Sequence, residues 1–149
     1  MDRTATKILI ADGDSDSRAS LMWVLLAGGF WVEPISNGLD VAPALEADLP
    51  HVAIIDLYLP GFSGRHLIER MRSTERLRDV PILAIAKERP WAALPPGVAF
   101  LCKPCDPQAL LDTVEDLARG GAGTMVSMTR PSVTARALVA DGRALGRSR

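Results

Sequence analysis

Histidine and cysteine are scarce in this chain of 149 residues, with two of each. His51 and His66 lie far from Cys102 and Cys105, so even a zinc half-site finds too few clustered ligands to be favoured. No run of eighteen apolar residues occurs, which excludes an obvious membrane-spanning helix, and Met1-Asp2-Arg3-Thr4 lacks the pattern of a secretory leader. A soluble, cytoplasmic chain is therefore expected. Hydrophobic residues make up 48% and charged residues 23%, enough for one ordinary core. No pattern points to an enzyme with turnover on a small metabolite, and none to a DNA-binding domain.

The apolar content is organised into short runs that end on charge. Val52-Ala53-Ile54-Ile55-Asp56 is followed by Leu57-Tyr58-Leu59-Pro60-Gly61-Phe62-Ser63-Gly64, an apolar strand delivering one carboxylate to a breaker-rich turn. Such a run suits a central parallel strand covered on both faces, which puts Asp56 at the carboxyl end where open α/β sheets hold ligands. Lys7-Ile8-Leu9-Ile10-Ala11-Asp12 ends on a second acid, before the polar turn Gly13-Asp14-Ser15-Asp16, and Val98-Ala99-Phe100-Leu101-Cys102-Lys103-Pro104 ends on a cation. Two acids and a lysine at one sheet edge suit a divalent cation and a phosphoryl group, because hard oxygens hold Mg²⁺ and an ammonium neutralises phosphate.

Helical and strand signals alternate as βαβαβαβαβ, which argues for a parallel sheet with right-handed crossovers. The first helix is expected over Ser17 to Ala27, with Leu21, Val24 and Leu25 inward and Gly28-Gly29 as its stop. Strand two then runs from Phe30 to Ile35. The second helix follows Asn37-Gly38, carries Val41, Ala42 and Leu45 inward, and needs Pro43 in or near its first turn. A third helix spans His66 to Ser73, strand four Ile82 to Ile85, and Asp106-Pro107 starts a last helix that reaches about Arg119. Between strands four and five, Ala86 to Gly97 holds three prolines and a glycine, too many breakers for a full fourth helix. Trp91 in that interval is expected to cover the sheet edge in place of the helix, or to anchor a partner if exposed.

From Lys7 to about Leu117 the chain resembles the receiver domain of bacterial two-component response regulators. The resemblance rests on Ile8-Leu9-Ile10-Ala11-Asp12, Arg18 with Leu21 and Leu25, Gly29-Phe30 and Val32, Asn37-Gly38, Asp56 with Pro60-Gly61 and Gly64, Pro81, and Lys103-Pro104. It implies a doubly wound, flavodoxin-like fold with a five-stranded parallel sheet, here with the fourth helix reduced or missing. It also implies that Asp56 accepts phosphate from a histidine kinase or phosphotransfer protein while Mg²⁺ is bound, and that a downstream protein partner reads the change. Asp12, Asp56 and the backbone carbonyl of Tyr58 are the implied metal contacts, Lys103 the implied phosphoryl-binding cation, and a cis bond before Pro104 the implied device that aims it.

Two positions depart from that family. Receivers carry a second acid after strand one where this chain has Gly13, which leaves a weakened metal site toward which Asp14 or Asp16 could swing. Ala86 stands where receivers place a Thr or Ser that bonds the phosphoryl oxygen, and losing one charge-assisted hydrogen bond is worth about 1.5–3 kcal/mol. Phe100 takes the position of the aromatic switch residue but has no hydroxyl. The competing reading is a degenerate pseudo-receiver that binds partners without phosphorylation. Cys102-Lys103-Pro104-Cys105 also resembles a thioredoxin-type redox motif, yet only one helix and a tail follow it, so Cys102 is expected to pack in the sheet, with a redox-gated interaction module as a third, lesser reading.

Charge divides the chain into two materials. Residues 1–118 hold eleven Lys and Arg against seventeen Asp and Glu, or −6, and residues 119–149 hold six against one, or +5, which reproduces the net −1. Residues 1–119 are expected to form a stand-alone receiver and residues 120–149 a flexible basic tail, solvated rather than bound to nucleic acid.

Overall fold

The computed structural model describes residues 2–120 of the chain. Five strands form one sheet: β1 (Lys7–Ala11), β2 (Trp31–Ile35), β3 (Val52–Asp56), β4 (Ile82–Ala86) and β5 (Val98–Cys102), all parallel and ordered β2-β1-β3-β4-β5. The connecting helices are α1 (Ser15–Ala27), α2 (Val41–Ala47), α3 (Gly64–Ser73) and α4 (Pro107–Ala118). Every residue of β1, β3 and β4 is buried, as expected of central strands covered on both faces. One face packs against α2 and α3 through Leu9, Val41, Leu45, Ile55, Leu67, Ile68 and Met71. The other packs against α1 and α4 through Ile8, Ile10, Leu21, Leu25, Ile54, Leu110, Val114 and Leu117.

Local chemistry sets the element ends. Asp14 caps α1 by accepting from the Asp16 and Ser17 amides at 2.9 and 3.2 Å, so α1 begins two residues before the expected Ser17. Asp106 caps α4 by accepting from Ala109 N, with Pro107 at the first helical position where no amide partner is needed. In α2, Pro43 lies in the first turn as its ring requires, and Ala44 rather than Ala42 packs against the core beside Val41 and Leu45. Helix α3 starts at Gly64, one half-turn earlier than the expected His66. The peptide between Lys103 and Pro104 is cis.

Residues 87–97 connect β4 to β5 without a helix. The segment is held from α3, where the Arg65 guanidinium donates to the carbonyls of Ala92 and Ala93, both at 3.1 Å. Trp91 does not cover the sheet edge, because its side chain stands 98% exposed. Leu94 takes the inward role, packing with Val98 and Phe100 against the α2/α3 face. The expected tail from residue 121 onward lies outside the described residues.

Candidate functional site

The sheet register brings the three charged strand ends together. Ala11 pairs with Ile55, so Asp12 just beyond β1 neighbours Asp56 at the end of β3, and Ala86 pairs with Cys102, so Lys103 leaves β5 beside the end of β4. Lys103 N–H donates to Ala86 O at 2.8 Å, and its side chain passes the intervening strand to reach both acids. Lys103 Nζ lies 2.7 Å from Asp56 Oδ2 and 3.0 Å from Asp12 Oδ2. Burial alone would lower the Lys103 pKa, but hydrogen bonds to Asp56 and Asp12 outweigh it and hold the ammonium above its ordinary value.

Each carboxylate has further donors. Asp12, with no solvent exposure, accepts from Asp14 N at 3.0 Å and from Ser17 Oγ at 2.5 Å, and its backbone carbonyl accepts from Arg18 Nη1 at 2.8 Å. Asp56 accepts from Tyr58 N at 2.9 Å while the Tyr58 ring is exposed. Ser17 is the site residue that sequence reasoning treated only as a helix start. The legible signal was its place in the first turn after the Asp14 cap, on the side that turns back toward Asp12. Asp14 is committed to capping α1, and those backbone bonds hold its carboxyl below the usual range. Neither Asp14 nor Asp16 swings toward Asp12 and Asp56: among the described residues, no three His, Cys, Asp or Glu converge as a metal site.

Gly13 is fixed by packing, since a Cβ placed there would run into the ring of Pro60, the proline after β3. Gly64 is similarly constrained, because a Cβ would collide with the carbonyl oxygen of Asp56 itself. Two glycines thus let the β1 and β3 loops close over the acids. Ala86, buried at the end of β4, offers only a methyl to this edge. Phe100 is partly buried against the α2/α3 face, and the Arg89 guanidinium lies 5.6 Å from its ring centroid.

The cysteines depart from expectation. Cys102 does not pack in the sheet: it ends an edge strand whose alternation turns Ala99 and Leu101 inward, and it is exposed. Cys105 packs partly against the α1/α4 layer, and desolvation pushes its thiol up to about 12. Both are free thiols, and so high a pKa leaves Cys105 almost without thiolate at neutral pH.

Residues 8–115 match the family model of the response regulator receiver domain. The transcriptional regulatory protein GltR of Pseudomonas aeruginosa is 31% identical over 131 residues, covering 85% of this chain and 54% of the relative, so the chain spans about half of that relative's length. An uncharacterised 14.6 kDa protein of Leptolyngbya boryana is 32% identical over 113 residues, covering 72% of this chain and 86% of the relative. Among solved structures, a putative response regulator from Chloroflexus aurantiacus superposes with a TM-score of 0.70 at 26% identity, covering 76% of this chain and 98% of that one. The receiver domain of a sensor histidine kinase from Pseudomonas aeruginosa, solved with magnesium coordinated in its active-site cleft, shares the fold with a TM-score of 0.69 at 19% identity over 76% of this chain and 98% of that one. A family match that runs from Ile8 in β1 to Glu115 in α4 touches all five strands and all four helices, and this chain belongs to the response regulator receiver domain family.

Proposed function

We propose that this chain is a working receiver in two-component signalling, with Asp56 accepting a phosphoryl group from a phosphohistidine on a histidine kinase or phosphotransfer protein. The observation that carries the reading is the Lys103 ammonium held 2.7 Å from Asp56 and 3.0 Å from Asp12 at the carboxyl edge of the sheet. In the transfer, an Asp56 carboxylate oxygen attacks phosphorus in line, the new O–P bond forms as the P–N bond breaks, and the departing imidazole nitrogen keeps the electron pair and takes up a proton. Lys103 binds the oxygens of the transferred group, and Tyr58 N–H orients the attacking carboxylate.

Asp12, Asp56 and the Tyr58 carbonyl are the groups that would hold Mg²⁺. Two carboxylates and a carbonyl fit an ion that keeps several of its waters, and the charge that Gly13 withholds makes the site weaker than one with a third acid. When bound, the ion supplies screening of the phosphoryl oxygens. Because Ala86 has no hydroxyl, Lys103 and the 87–97 segment carry the response to phosphorylation, and a protein partner reads it. Residues 1–119 act as the receiver, and residues 120–149 follow it as a basic segment. A cytoplasmic setting goes with such a kinase, and the partners proposed are proteins rather than a membrane or a nucleic acid.

The second reading, a receiver-derived module that binds its partner constitutively, is favoured by Gly13 and Ala86 together with the saturated hydrogen bonding of Asp12. The test is intact mass after incubation of the reduced protein with a small phosphodonor and Mg²⁺. One phosphate adduct in the native chain and none in Asp56→Asn supports the phosphoacceptor. No adduct, together with no Mg²⁺ binding by titration, moves the assignment to the constitutive module.

A further inference from the structure

We propose that the outer face of α1 is a docking surface for the chain's own basic C-terminal segment, residues 121–149. This inference is independent of whether Asp56 is phosphorylated.

From Ala19 to Val32 the sequence holds no charged residue. In α1, Ala19, Trp23, Leu26 and Ala27 share one face by their spacing of four, three and one, and all are exposed, Trp23 to 76% and Leu26 to 52%. Trp31, between Phe30 and Val32 of the α1/α4 layer, turns to the opposite face of the sheet, where the Lys7 ammonium lies 5.4 Å from its ring centroid, so the stripe is confined to α1. A surface helix normally turns charge outward, as α3 does with Glu69 and Arg70. Alongside α1, helix α4 presents Asp112 and Asp116 to solvent. The same layer thus exposes an apolar stripe on α1 and acidic residues on α4.

The chain itself provides a complementary segment at this spot. Glu115 of α4 is ion-paired to Arg3 at 3.1 Å, and Arg3 also donates to Gly28 O at 2.9 Å, so the last turn of α4 lies against the turn that ends α1. Residues 121–149 follow directly from Gly120, carry five arginines against one aspartate, and place Val133, Leu138, Val139 and Leu145 among Arg136 and Arg143. Residues 1–120 carry twelve basic against seventeen acidic residues, so the attraction has the right sign. An extended chain spans about 3.3 Å per residue, so the 29 residues after Gly120 are long enough to cross from α4 to the outer face of the neighbouring α1. Tethering sets the effective concentration at about millimolar, enough for a modest apolar contact to be occupied.

The test uses the full chain carrying Trp31→Phe and Trp91→Phe, leaving Trp23 as the only reporter, with circular dichroism to confirm the fold. The expected result is a blue-shifted emission and several-fold weaker acrylamide quenching than a free tryptophan shows, at every protein concentration. Substituting Leu138→Gln, Val139→Gln, Arg136→Gln and Arg143→Gln in that chain restores red-shifted emission and full quenching. Full quenching before those substitutions, or no change after them, overturns the proposal. Protection that grows with protein concentration also overturns it, by assigning the face to a second copy.

Discussion

Removing Lys103 while keeping its bulk, as in Lys103→Met, leaves two buried carboxylates facing each other without a cation. The Lys103 side chain is 10% exposed, that of Asp56 10% and that of Asp12 0%, so water screens little of the resulting charge. At an effective dielectric of about 20, contacts at 2.7 and 3.0 Å are each worth about 5–6 kcal/mol before desolvation is subtracted. Deleting one partner of a buried pair costs about 3–5 kcal/mol net, because the remaining charge is uncompensated. A domain of this size has about 5–15 kcal/mol in all, so the variant sits near the limit of folding. With a urea slope of about 2 kcal/mol per molar, the unfolding midpoint at pH 7 should fall by about 2 M. Adding Asp12→Asn should return about 1–3 kcal/mol, since it removes one anion and keeps an acceptor for Ser17 and Asp14 N. The same linkage fixes the alkaline behaviour. The folded-state pKa of Lys103 is raised, so its contribution is fully present below 10.5 and is lost as pH rises above 10.5 through the higher folded value. The stability curves of the native chain and Lys103→Met should therefore converge above pH 10.5. A midpoint shift under 0.5 M at pH 7, or no recovery in the double variant, refutes the claim that this lysine holds the two acids in place.

Gly13→Asp, which reinstates the usual second acid, should destabilise by about 1–3 kcal/mol through overpacking against Pro60, and pairing it with Pro60→Ala should recover most of the loss in urea melts. Gly64→Ala should be worse, because the clash is with the backbone of Asp56, and a soluble, fully folded Gly64→Ala by circular dichroism would contradict the geometry. Asp106→Ala should cost about 1 kcal/mol of stability by uncapping α4. Trp91→Ser should leave the thermal midpoint within the equivalent of about 0.5 kcal/mol, since the side chain is 98% exposed.

The strands and their charged ends were legible because a buried parallel sheet writes itself as unbroken apolar runs, and the missing helix because prolines and Gly97 break any helical pattern between Ala86 and Val98. What escaped were relations set by tertiary contact. Ser17 reaches Asp12 only because Asp14 starts α1 two residues early, and the Gly13–Pro60 approach joins loops 47 residues apart in sequence. Trp91 was expected at the sheet edge on hydrophobicity alone, yet Arg65 pins the carbonyls that follow it, and Leu94 takes the inward place. Cys102 read as a sheet residue because its run is apolar, and only the edge position of β5 with its alternation reveals the outward side chain.

The ³¹P spectrum of the 149-residue chain mixed with phosphoramidate and Mg²⁺ decides whether Asp56 accepts phosphate. One protein-bound acyl-phosphate resonance is expected, and it disappears in Asp56→Asn and when Mg²⁺ is chelated. A folded chain with no such resonance, or one whose resonance survives in Asp56→Asn, would contradict it.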